Sequence, residues 1–277
     1  MKSIAMLALA LATTTLSAQQ SGVDRIPIPL TNPSRPVFLK VSVVNGGITV
    51  RGKTTNEVTV EAKLRQEDDE TEETGKSPSN SSGLRLIPNT STGLTVEEED
   101  NEVSVSTGMV GVSRSVDLVI DVPLNTSVKL STVNNGDIAV DHVNGDLEVS
   151  NVNGSVTLSQ VSGSAVAHAL NGELKATFTK VNPAKPMSFS SLNGTIDVTF
   201  PPDLKATLLL KSEQGEIYSD FDMQLEKTIN RVEESRKENK GRYRVSVEKG
   251  MKGKINGGGS EIVFKNFNGE IYVRKGK

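Results

Sequence analysis

Residues 143–176 constrain this chain more than any other stretch, because they repeat. In nines they read VNGDLEVSN, VNGSVTLSQ, VSGSAVAHA and LNGELKATF, with Gly145, Gly154, Gly163 and Gly172 fixed at the third place. An in-phase copy, NNGDIAVDH, precedes them at Gly136, and looser copies recur around Gly46, Gly194, Gly215 and Gly269. The second and fourth residues after each Gly are apolar: Ile138 and Val140, Leu147 and Val149, Val156 and Leu158, Ala165 and Ala167, Leu174 and Ala176. Polar or small residues alternate with them, which is the pattern of a strand with one buried face. Asn-Gly pairs supply a corner, since Gly, and Asn next best, tolerate positive φ. Each unit of nine is therefore one short strand and one corner.

Two architectures can use such units. In a two-residue hairpin the residues flanking Asn-Gly face each other, so Val143 would share a face with Asp146, and Val152 with Ser155. The seventh residue after each Gly is instead steadily apolar (Val143, Val152, Val161, Leu170), as if the chain turned and kept pointing inward. A parallel β-solenoid does this, with two units per coil of roughly eighteen residues. The reading is all-β: a right-handed parallel β-solenoid (β-helix) of roughly nine-residue strand–turn units, with an antiparallel β-sandwich as the alternative. Gly194 and Gly215 then follow at 22 and 21 residues, near one coil each.

The run VDLVIDVPLNTSVKLSTVNNGDIAV, the Asn-Gly repeats, GEIYSDF and the closing FNGEIYVRK resemble the bacterial adhesin-like toastrack family of exported β-repeat proteins, related to head-GIN adhesin-like domains. The resemblance spans roughly residues 37–277. It implies a β-helical, cell-envelope domain, and its motifs are turn and core positions, so no catalytic residue carries over from it.

Residues 1–18 place Lys2 before an apolar run from Ile4 to Ala12 and end in small residues at Ala18. That is the layout of a secretory signal cleaved near Ala18, too short to span a bilayer. An exported product, periplasmic or at the cell surface, is expected. Residues 19–36, with Pro27, Pro29, Pro33 and Pro36, read as an extended lead-in, and residues 37–277 as a single elongated solenoid domain. Two polar insertions interrupt it. Residues 66–83 have no apolar side chain and six acids between Glu67 and Glu73, the composition of a solvated loop. In residues 222–241, Leu225, Ile229 and Val232 fall at helical spacing, which suggests a short surface helix.

Chemistry-bearing residues are sparse. The absence of Cys removes thiol catalysis and thiolate metal sites. His142 and His168 have no triad or metal-ligand neighbourhood in the sequence. Asp137 and Asp146 follow a repeat Gly, but the calcium-binding nonapeptide order Gly-Gly-x-Gly-x-Asp is not present. The GGGS at residues 257–260 lacks the Lys-Ser/Thr of a phosphate loop and reads as a tight corner. No catalytic, cofactor-binding or metal residue is assigned.

Outward positions Ala139, Glu148, Thr157, Val166 and Lys175 form no stack of one chemistry, as a polysaccharide-cleaving face would need. A net charge of −3 is too near neutral to argue for nucleic acid or an anionic membrane as the main partner, so no nucleic acid is expected, and no later segment is a membrane span. Aromatics make up 4% of the chain and Trp is absent, so a narrow core of small aliphatics is expected. What emerges is a non-enzymatic envelope module, adhesive or scaffolding, with a protein or cell-surface partner. Self-association through the end strands, the FNGEIYV end among them, fits the same picture. The alternatives are an extracellular sensing domain that partners a membrane regulator, and, behind it, a carbohydrate-active enzyme.

Overall fold

The architecture comes from a computed structural model that describes residues 23–65, 92–108, 114–233 and 245–277. The expected signal segment and the acidic insertion at residues 66–83 lie outside the described residues.

Twenty strands follow one another, with no helix among the described residues. The first seven are β1 (Val23–Pro29), β2 (Val37–Asn45), β3 (Ile48–Lys53), β4 (Glu57–Leu64), β5 (Leu94–Glu99), β6 (Glu102–Thr107) and β7 (Val116–Pro123). The repeats supply β8 (Thr126–Asn134), β9 (Ile138–Asp141), β10 (Asn144–Asn153), β11 (Val156–Asn171), β12 (Leu174–Val181), β13 (Met187–Asn193) and β14 (Ile196–Phe200). The last six are β15 (Ala206–Gln214), β16 (Ile217–Ser219), β17 (Met223–Glu233), β18 (Val245–Ile255), β19 (Ser260–Asn268) and β20 (Ile271–Lys275).

The repeat strands pair in parallel, giving a solenoid-like, all-β fold. One ladder runs β6, β2, β8, β10, the second half of β11, β13, β19, β15. The other runs β7, β3, β9, the first half of β11, β12, β14, β20, β16. Leu147 lies beside Ala165 and Val156 beside Leu174, so like positions stack on like. Among the described residues, antiparallel strands occur only at the extremities: β5 on β6, β4 and then β1 on β7, β18 and then β17 on β15.

Alternation decides what is buried. Ile138, Val140, Leu147, Val149, Val156, Leu158, Leu174 and Ala176 are all 2% exposed or less. Outward neighbours Glu148 and Lys175 are exposed, whereas Thr157 is half-buried between neighbouring rungs. The corners hold the reason for the repeat's fixed residues. The Gly column runs Gly46, Gly136, Gly154, Gly172, Gly194, Gly269, Gly215, and from Gly136 onward a Cβ would stand under 3.0 Å from the preceding glycine's carbonyl oxygen. Close axial approach, more than turn conformation, demands glycine here. Beside the glycines the asparagines bond along the axis. Asn153 donates to Asn134 at 2.8 Å, Asn171 to Asn153 at 3.1 Å and Asn193 to Asn171 at 2.9 Å.

Four sequence expectations need correction. Gly215 is not the rung after Gly194: β19 and β20 lie between β13–β14 and β15–β16, so FNGEIYV is an interior coil with strands on both sides. The N-terminal end mirrors this, with β2 and β3 held between β6–β7 and β8–β9. Second, residues 223–233 form a strand, because pairing along the whole of β18 outweighs a three-residue helical spacing.

Third, the core is not wholly small. Phe178, Phe189, Phe200 and Phe264 cluster inside it, with Phe178 stacked on Phe200 at 5.4 Å and Phe189 on Phe264 at 5.2 Å. Room for them arises where the coil lengthens from 18 residues to 22. Fourth, Val143 and Val161 point inward, but Leu170 is 43% exposed and Val152 only half-buried. The coil has two unlike corners, and the nine-residue pattern visits them alternately.

Candidate functional site: an apolar ridge along one corner

The outward apolar residues line up. Val44, Val133, Val152, Leu170, Leu192 and Phe267 take the same place on six successive rungs. Each lies between a buried column (Val43, Thr132, Asn151, Ala169, Ser191, Asn266) and the asparagine corner. Apart from Val152, each is 36–52% exposed. At ~4.8 Å per rung the ridge is roughly 24 Å long. An exposed apolar strip of this length is uncommon on a protein that works alone.

The elements beneath hold it rigid. Asn151 Nδ2 donates to the carbonyls of Gly136 and Ser155 at 3.0 and 3.1 Å, and Asn266 Nδ2 to that of Gly194 at 2.8 Å. Thr132 Oγ1 donates to the Gly46 carbonyl at 2.8 Å. These buried groups tie the rungs of Val133, Val152 and Phe267 to the one before on the inner side, and the asparagine ladder ties rungs on the other. Two residues before the six ridge positions, a row crosses the first ladder: Ser42, Ser131, Ser150, His168, Ser190 and Lys265. The ridge thus borders a polar row that is mostly hydroxyl and becomes basic beside Phe267.

The residues weighed for chemistry fall elsewhere. His142 takes a corner with φ of 54°, a conformation open to His more than to most residues, and its Nδ1 lies 2.8 Å from Asp141. His168 Nδ1 lies 2.5 Å from Ser190 Oγ on the outer face of β11. Neither His has the other as a hydrogen-bond partner. Asp137 Oδ1 accepts the Ser155 amide at 2.7 Å, and Asp146 accepts from Ser164 Oγ at 2.7 Å and from Lys185 at 2.5 Å. The bond from Lys185, with that from Ser164, holds the Asp146 carboxyl below its usual range. Both aspartates fasten one coil to the next. Among the described residues, no three His, Asp or Glu side chains gather as a metal site would need. GGGS forms the turn between β18 and β19, with Gly257 and Gly258 at φ of 86° and 89°.

Residues 132–252 match the Toastrack DUF4097 family. The match covers 121 of the chain's 277 residues, from 132 to 252 inclusive. It begins within β8 and ends within β18, so it takes in four of the six ridge residues. No curated protein matches the sequence. Two solved structures are similar along nearly the whole chain. A candidate cell adhesion protein from Clostridium sporogenes is 9% identical with a TM-score of 0.45, covering 92% of this chain and 100% of its own. A candidate adhesin from Bacteroides fragilis is 11% identical with a TM-score of 0.27, covering 91% and 96%. Among the described residues, no helix is long and apolar enough to cross a membrane.

The ridge was missed in the sequence for a specific reason. Its valines and leucines sit in the same repeat place as the inward Val143 and Val161, and only alternation between the two corners separates them.

Proposed function

We propose that this chain is a non-enzymatic, exported cell-envelope module, adhesin-like or scaffolding, that acts through its apolar ridge. The ridge carries the reading: six side chains at one corner, five of them more than a third exposed, braced by buried polar ties. The reading includes a right-handed coil built from two nine-residue units, the sense that parallel crossover connections almost always take. Export is supported by the charged, apolar, small-residue order of residues 1–18. Mass spectrometry of the protein from its native host should find a mature start close to Gln19; a full-length cytoplasmic product would reject export.

Binding is tested on the ridge itself. The double variant Leu170→Glu and Leu192→Glu puts two charges mid-ridge at exposed positions. Thermal unfolding should shift by no more than about 0.5 kcal/mol. Retention of the labelled protein on native cell envelopes should fall by about tenfold, or ~1.4 kcal/mol. Undiminished retention would move the contact surface off the ridge.

A further inference from the structure

On the second ladder, across the Asn-Gly corner from the ridge, Tyr218 of β16 and Tyr272 of β20 stand in register. Their rings stack at 5.1 Å with 12° between planes. The Arg274 guanidinium lies 4.8 Å from the centre of the Tyr272 ring, and its Nε donates to Asp197 Oδ1 at 2.7 Å. Asp197 is the rung partner of Tyr272 on the side away from Tyr218. The guanidinium, tied to it, therefore covers the face of Tyr272 that Tyr218 does not. Carboxylate, guanidinium, ring and ring form one column.

The column stops at Tyr218. Among the described residues β16 pairs with β20 alone, and Tyr218 is 45% exposed. Its hydroxyl donates to Glu216 Oε2 at 2.7 Å, so the outermost ring comes with a carboxylate already beside it. That bond, reinforced by the charge of Glu216, raises the phenol's pKa and keeps it protonated as a donor. The surrounding stretch is acidic: residues 213–222 hold Glu213, Glu216, Asp220 and Asp222 and no Lys or Arg. Tyr218 thus has a carboxylate beside it as Tyr272 has, on its own strand and at its hydroxyl, where Asp197 stands across from Tyr272 on β14.

We propose that Tyr218 and Glu216 form a docking point for an arginine side chain of a protein partner, its guanidinium lying on the free face of Tyr218 and donating to Glu216. Arg274 over Tyr272, bonded to Asp197 of the neighbouring strand, already shows a ring and a carboxylate holding one guanidinium, one rung inward. Planar guanidinium suits a ring face and a carboxylate together, which an ammonium does less well. A neutral ring-stacking ligand such as a pyranoside would use Tyr218 but would leave the acidic stretch without a role. The site does not depend on the ridge, and either can fail alone.

The test uses the whole chain and arginine amide as the probe. Tyrosine emission reports on the site directly, since the chain has three Tyr and no Trp. Arginine amide should change the emission with millimolar saturation, whereas citrulline amide, whose side chain is isosteric and uncharged, should bind at least about tenfold more weakly. Glu216→Gln should lose a similar factor, and Tyr218→Phe, which keeps the ring, should stay within about threefold. Both positions are exposed, so melting temperatures should hold and loss of binding will not report unfolding. Equal binding of citrulline amide overturns the proposal. So does an unchanged affinity in Glu216→Gln, or binding of a methyl pyranoside in place of arginine amide.

Discussion

Gly154→Ala is expected to destabilise the protein by roughly 3–5 kcal/mol, far beyond the usual cost of a surface turn substitution. The new methyl group would stand under 3.0 Å from the Gly136 carbonyl oxygen, a backbone atom that cannot swing aside. Relief requires spreading two coils, and every asparagine and backbone bond across that seam resists it. Gly257→Ala is the control. Its backbone is left-handed, at φ of 86°, but a Cβ there meets nothing within 4 Å, so only the conformational strain of roughly 1–2 kcal/mol is expected. Denaturant melts of the two variants separate the explanations. Equal costs would mean that the column is glycine for its turn and not for its closeness.

Deleting residues 260–277 should have a still larger effect: loss of a cooperative transition for the C-terminal coils. The segment carries Ile262, Phe264, Ile271 and Val273, all buried, and supplies the only described strands between β13–β14 and β15–β16. Phe189 and Phe200 lose Phe264, their neighbour at 5.2 and 6.4 Å. Removing one such ring alone costs about 3–5 kcal/mol. Deletion of β1, an outer antiparallel strand that among the described residues pairs only with β4, should be much milder. Circular dichroism melts and limited proteolysis would show the contrast. A truncated chain that melts like the full one would refute the interleaved order of the coils.

Much of this architecture is legible in residues 143–176, because period-two alternation with a fixed glycine is a local property. Leu147, Val156 and Leu174 point inward as their places in the repeat require. What is hidden depends on pairings across long stretches of chain. Nothing near Gly215 signals that the next rung down from it belongs to Gly269, and Leu225, Ile229 and Val232 look helical until β18 is placed beside them. The same limit applies to both candidate surfaces. Val152 and Val161 occupy one repeat place and differ only in which corner they reach. Tyr218 and Tyr272 meet only because the last coil returns inward. Pairing chemistry can be read from neighbours in sequence, whereas stacking order cannot.

The interleaved ends also bear on the timing of folding. Thr132 bonds to Gly46 across 86 residues, and Asn266 to Gly194 across 72. A chain emerging from its N-terminus cannot wind this structure turn by turn. β2 and β3 must wait for β6 through β9 before either side of them is covered, and β13 through β16 must wait for the final strands. Such long loops slow closure, so folding is governed by non-local contact formation more than by the fast local strands of the repeat. The growing polypeptide therefore keeps an uncovered apolar gap at its C-terminal end until the last coil is synthesised, and only then can that gap close.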